Sequence, residues 1–326
     1  MFKIINMILF KKIILFGLIG IILITSGYFL GKLYNTDQIQ AKKEKHQKGY
    51  EYTSPLLECS YQETGTLETK SIQKRIENII EENKNQKNIS HVSVYVHDLI
   101  NGTWVGINEK ENFSPASLLK VPLMIAFLKQ AEYDESILTK KIKVTEKPLG
   151  ALDQSFIPFK SVEINKEYTI EELISYMITY SDNQAANTLL GVIDQNFLNQ
   201  LFLDIGITPP SMKNPENYMA VIDYASFFEI LYNASYLNKE MSEKALNILT
   251  KTGFQRGIIA GLPMDIKVAH KFGERTTNNY NQLHDCGIIY KPNHPFLLCV
   301  MTRGNDLAKM AFVIKDISRA TYNEIK

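Results

Sequence analysis

The chain has 326 residues, 45% of them apolar and 22% charged, with a formal net charge of +1. That length suits one large domain or two small ones, and the near-neutral charge gives no whole-chain bias toward nucleic acid. Six scattered His and three Cys show neither His-Glu-x-x-His nor paired Cys-x-x-Cys spacing, so no metal or other cofactor is expected.

From the N-terminus, Ile13–Gly31 carries no charged residue. As a helix it would span ~28 Å, about one hydrocarbon core. Residues 1–34 therefore read as a membrane anchor, with a cleaved signal peptide as the competing reading. Residues 35–67 follow as a polar tether and lead-in, Lys- and Gln-rich as far as Gly49. The domain proper is expected over 68–326.

Ser71–Asn88 has helical apolar spacing at Ile72, Ile76, Ile79 and Ile80. His91–Asp98 alternates like a half-buried strand. Asn101-Gly102 marks a hairpin, with Thr103–Ile107 returning. Ser114 and Pro115 announce an apolar helix over Leu118–Leu128. Thr169 with Glu172 forms a capping box ahead of Ile170, Leu173, Ile174, Met177 and Ile178. A helix after Asn183 and two more over Tyr224–Tyr232 and Ser242–Thr250 complete a helical middle section.

The last third reads as strands over Ile266–Phe272, His284–Tyr290 and Phe296–Thr302, then a helix over Leu307–Ile325. A four-residue loop at Lys291–His294 pairs residue 290 with 295, and hence Cys286 with Cys299. Those two are either a cross-strand disulfide or a pair of buried thiols. The expected fold is α+β: an antiparallel sheet of about five strands drawn from both chain ends, flanked by helices, plus an inserted all-helical lobe.

Three short strings carry the chemistry. In Ser117-Leu118-Leu119-Lys120, the three-residue spacing on a helix puts nucleophile and amine on one face. A lysine held in a partly dehydrated site loses its charge more easily and can take the serine proton. Ser181-Asp182-Asn183 sits between two helices, where Asp182 can fasten the turn while Ser181 and Asn183 project into a groove. Lys271-Phe272-Gly273 closes a strand, with His270 before it and a glycine where a substrate backbone could approach.

These strings resemble, in identity, order and setting, those of the class A β-lactamases and the related penicillin-binding serine D,D-peptidases. Phe113–Pro122, Tyr180–Asn187 and Ala260–Lys271 carry the likeness further. The resemblance implies that Ser117 becomes acylated, Lys120 activates it, and Ser181 relays a proton to the leaving nitrogen. It implies that Asn183 binds the substrate's side-chain amide and that Lys271 attracts its carboxylate. The backbone N–H groups of Ser117 and Glu274, next to Gly273, would form an oxyanion hole. The implied partner is a β-lactam or a peptidoglycan stem peptide, met by an extracytoplasmic domain on a single-pass anchor.

Two departures stand out. Phe272 occupies the position of a Thr or Ser hydroxyl. The Glu-x-x-Leu-Asn segment that holds the deacylating water is missing, and the shortened Thr208–Met219 region offers only Glu216. The acyl-enzyme is therefore expected to break down slowly. An esterase on the same scaffold and a non-catalytic penicillin-binding sensor are the alternatives.

Overall fold

The computed structural model describes residues 45–46, 49–58, 67–84, 89–145, 155–210 and 217–325, together with Thr25. All but the last of these fall in the compact unit Lys43–Lys326. The expected membrane anchor lies outside the described residues apart from Thr25, as does Glu216. Among the described residues no helix is long and apolar enough to cross a membrane.

Helix α1 (Leu67–Lys84) starts four residues earlier than its sequence pattern suggested, and residues 85–88 of the expected helix lie outside the described residues. Ile72, Ile76 and Ile80, spaced four apart, form its buried stripe. Strands β1 (Ile89–Asp98) and β2 (Trp104–Ile107) make the predicted hairpin around Asn101-Gly102. A 3₁₀ turn (Ala116–Leu119) runs into α2 (Lys120–Ala131). Pro122 lies in the first turn of α2, where its missing N–H costs least.

The helical lobe continues with α3 (Ile170–Thr179), α4 (Asn183–Leu190), α5 (Gln195–Asp204), α6 (Val221–Tyr232) and α7 (Lys239–Leu249). The capping box on α3 is present in both directions. Glu172 N donates to Thr169 Oγ1 at 3.1 Å, and Thr169 N donates to Glu172 Oε2 at 2.8 Å. The chain then returns to the sheet with β3 (Val268–Thr276), β4 (Asn281–Ile289) and β5 (Phe296–Gly304), and closes with α8 (Leu307–Glu324).

The five long strands form one antiparallel sheet in the order β2-β1-β5-β4-β3. The strand brought last, β5, lies in the centre and is buried on both faces. Its alternate residues serve two cores. Leu298 and Val300 join Ile76, Ile314 and Ile317 beneath α1 and α8, whereas Leu297, Cys299 and Met301 join Met124, Leu173 and Phe228 of the lobe. Each fully buried aliphatic side chain of this kind contributes roughly 1.5–3 kcal/mol. Cys286 pairs with Cys299 as the hairpin register required, and the two are joined as a disulfide.

One sequence expectation needs correction. The strand ending at Phe272 instead runs on to Thr276, because its edge keeps pairing with β4 through Thr276 opposite Asn281. The Lys-Phe-Gly string is thus mid-strand. Ahead of the domain, Lys45–His46 pairs with Leu56–Glu58, and residues 51–53 of the lead-in dock on α7. There the Glu243 carboxylate accepts the N–H groups of Glu51, Tyr52 and Thr53 at 2.9, 2.9 and 2.8 Å. Nothing in the local composition signals that docking, because its partner lies some 190 residues away.

Candidate active site

The nucleophile candidate is carried on strained backbone. Ala116 has φ +50°, a left-handed conformation that a side chain disfavours, and it turns the chain into the 3₁₀ segment bearing Ser117. Tyr224 of α6, itself buried, donates its hydroxyl to Leu118 O at 3.0 Å and ties the turn to the lobe. Gly273 fixes the other side. A Cβ there would lie 2.7 Å from Pro115 O and 3.1 Å from Leu118 N, so β3 can approach this turn only without a side chain. That approach brings the backbone at 273–274, the implied oxyanion partner, against the segment holding Ser117.

Ser181 is the meeting point of the cations. It too is left-handed, with φ +56°, and it is wholly buried. Lys120 Nζ donates to Ser181 Oγ at 3.2 Å, to Ser181 O at 2.5 Å and to Asn183 Oδ1 at 2.7 Å. Lys271 Nζ donates to the same Oγ at 2.9 Å and to Phe272 O at 2.9 Å. Asp182 fastens the turn as its residue type suggested. One carboxylate oxygen accepts from Gln184 N and Ala185 N, and the other accepts from Val162 N at 2.7 Å.

Burial lowers Lys120 from the usual lysine range to about 7, with Asp182 and Glu274 pulling the other way. Lys271, fully buried, is held well below the ordinary lysine value, first by desolvation and then by the charge of Lys120. Two neighbouring amines in one dry site cannot both keep their protons cheaply. Glu274 is raised by burial, against the hydrogen bonds and the Lys271 charge that favour its ionised form.

The strings therefore converge, but not in every detail expected. Lys120 is engaged with Ser181 and Asn183; among the described residues Ser117 Oγ has no hydrogen-bond partner. Ser117, Lys120, Asn183 and Glu274 line one cavity, while Ser181 and Lys271 are wholly buried. His270 turns away from Lys271, as the next residue on a strand must, and bonds Asp285 at 2.8 Å.

Three contributors escaped the sequence reading. Arg275 lines the cavity and donates to Ser114 Oγ at 3.1 Å. The alternation Lys271, Gly273, Arg275 was a signal that could have found it, had the strand been extended. The segment 155–162 is the second. Ser155 N and Phe156 N donate to the Glu274 carboxylate at 3.2 and 2.9 Å. Phe156 meets Phe272 edge-on at 6.0 Å, and Phe272 stacks on Phe254 at 4.2 Å. Phe272 and Glu274 share a strand face, so one segment can cover both. The third is Tyr224, whose role at the Leu118 carbonyl only tertiary structure reveals.

The buried Lys120, Ser181 and Lys271 beside a cavity-lining Ser117, on an antiparallel sheet with a helical lobe, define a serine hydrolase of the β-lactamase type. Residues 71–325 match the model of the beta-lactamase enzyme family, and the chain belongs to that family. It is 26% identical to beta-lactamase VEB-1 of Pseudomonas aeruginosa over 289 residues, covering 78% of this chain and 91% of that protein. It is likewise 26% identical to beta-lactamase Toho-1 of Escherichia coli over 204 residues, covering 58% of this chain and 68% of that one. Among solved structures it resembles PBP-A, with a TM-score of 0.65 at 21% identity over 81% of this chain and 98% of that one. A beta-lactamase from Chitinophaga pinensis superposes with a TM-score of 0.67 at 21% identity, covering 77% and 98%. These likenesses bear out the class A β-lactamase resemblance and the α+β fold.

Proposed function

We propose that the chain forms an acyl-enzyme at Ser117 on the amide of a β-lactam ring or of a D-Ala-D-Ala-like peptide end, and that it deacylates slowly. The observation that carries this reading is the convergence of Lys120 and Lys271 on Ser181 Oγ beside the Ser117 turn. The relatives named as beta-lactamases support the substrate class, as does a PBP-A variant solved as its acyl-enzyme with penicillin G.

In acylation the Ser117 Oγ–carbon bond forms as the carbon–nitrogen bond breaks. The hydroxyl proton passes to Lys120 in its neutral form, which burial makes accessible near pH 7; Ser181 delivers its proton to the departing nitrogen, which keeps the bonding pair, and Lys120 returns a proton to Ser181 Oγ. Lys271 draws in the substrate carboxylate, and Asn183 holds the side-chain amide. Donors at the oxyanion position are typically worth about 3–4 kcal/mol each. In deacylation a water oxygen bonds to the acyl carbon, the ester bond breaks and a proton returns to Ser117. The missing Glu-x-x-Leu-Asn segment leaves that water without its usual base, so the second barrier is the higher.

The test is to incubate the full-length chain with a labelled penicillin and follow intact mass, with Ser117→Ala as control. A lasting adduct of one penicillin on wild type only is expected. Rapid turnover marks an efficient β-lactamase, and no adduct marks the esterase. Turnover of a D-Ala-D-Ala peptide then separates a peptidase from a sensor.

We also place the domain outside the cytoplasm on an N-terminal anchor over Ile13–Gly31. The apolar run supports this, as does the Cys286–Cys299 bridge, a feature of oxidising compartments. Recovery of the protein in carbonate-washed membranes, with the domain cut by external protease on spheroplasts, tests it.

A further inference from the structure

The cleft at Ser117 opens into a cavity of about 440 Å³. That size falls within the roughly 300–1,000 Å³ of small-molecule sites. One end is the polar machinery, with Ser117, Lys120 and Asn183 in its wall. The rest is largely apolar, formed by Leu123 of α2, Ala186 and Leu190 of α4, and Leu198 and Phe202 of α5. Leu123, Ala186 and Phe202 are buried, whereas Leu190 is 42% exposed and marks the mouth. Pro210 and Tyr218 also line the cavity, and they bracket the shortened segment that in class A enzymes carries the deacylating water.

We propose that this cavity receives the acyl half of the substrate, and that Ser117 serves best those donors whose acyl group is a medium-length aliphatic chain or an aryl ring. The inference rests on Ser117 being the nucleophile and adds the substrate class. The occupant follows from continuity. A group bonded through its carbonyl to Ser117 Oγ has its substituent inside the same cavity, and the wall it meets there offers leucine and phenylalanine carbons. Each methylene buried against such a wall improves binding roughly fourfold. Polar or charged acyl groups lose water against the leucine and phenylalanine carbons of that wall, where the polar side chains are Asn187, Gln195 and Asn199, and the Lys120 amine and Asn183 carbonyl oxygen at its polar end are already bonded to each other.

The probe is a series of p-nitrophenyl esters from acetyl to octanoyl, with the full-length chain. Ser117 Oγ bonds to the carbonyl carbon, the carbon–oxygen bond breaks, and nitrophenolate leaves with the bonding pair, read by its colour. We expect kcat/KM for acylation to rise at least tenfold from acetyl to octanoyl. Leu198→Trp, which fills the wall, should cut the octanoyl-to-acetyl ratio at least fivefold. A wild-type profile that is flat or falls with chain length overturns the proposal, whatever the variant does. Absence of a Ser117 adduct from every ester also overturns it; labelled penicillin then decides whether the nucleophile assignment falls too.

Discussion

Lys120 and Lys271 donate to one oxygen, Ser181 Oγ, at 3.2 and 2.9 Å. Two amines and one hydroxyl, all buried, share one hydrogen-bond cluster whose charge state changes with pH.

In the proposed acylation Lys120, lowered to about 7, takes the Ser117 proton only when neutral. The acylation rate should therefore fall about tenfold per pH unit below 7 and level off above it. Burst rates with a chromogenic β-lactam between pH 5 and 9 check this. Stability moves with pH as well. The unfolded chain holds the Lys120 and Lys271 protons up to the ordinary lysine range, while the folded chain sheds them earlier. Stability therefore rises with pH from about 7 toward 10 and is lost as pH falls through that window. Lys120→Met should flatten the slope, read as Tm against pH.

Gly273→Ala should be costly. The new Cβ would fall 2.7 Å from Pro115 O, a backbone atom that cannot step aside alone. We expect Tm to drop by several degrees and acylation by at least tenfold, because the strained contact is with the turn that carries Ser117. A thermal melt beside the penicillin-labelling rate reports both.

Asp182→Ala removes the acceptor for Gln184, Ala185 and Val162. Loss of the helix cap alone costs about 1 kcal/mol. Ser181 and Asn183 lose their fixed orientation at the same time, so kcat/KM should fall by at least tenfold. Asp182→Asn, which keeps an acceptor, should recover part of both losses.

Phe272→Thr restores the hydroxyl expected of the family and removes a ring stacked on Phe254 at 4.2 Å. Stability should fall by about 3 kcal/mol, as for other large-to-small changes in a core. Acylation by a carboxylate-bearing penicillin should rise about tenfold, the worth of one added hydrogen bond. Urea melts and second-order labelling rates separate the two effects.

The three strings could be read from the chain because each is local. Ser117 and Lys120 share a helical turn, and the Asp182 cap acts on the next residues along. The Cys286–Cys299 register was legible because a four-residue loop determines it. The clamp at Glu274 was not, since Phe156 lies 118 residues from its acceptor and no local pattern announces it. The end of β3 was misplaced because Glu274, Arg275 and Thr276 look like loop residues until their ladder with β4 and their side-chain partners are seen. The docking of Tyr52 on Glu243 was hidden for the same reason.

Ala116 and Ser181 flank the reactive centre with positive φ angles of 50° and 56°. Glycine at either position would relieve the left-handed strain. Here that remedy would slacken the hinge points that aim both hydroxyls, so a hardier version of this molecule is better sought in its outer helices than at its heart.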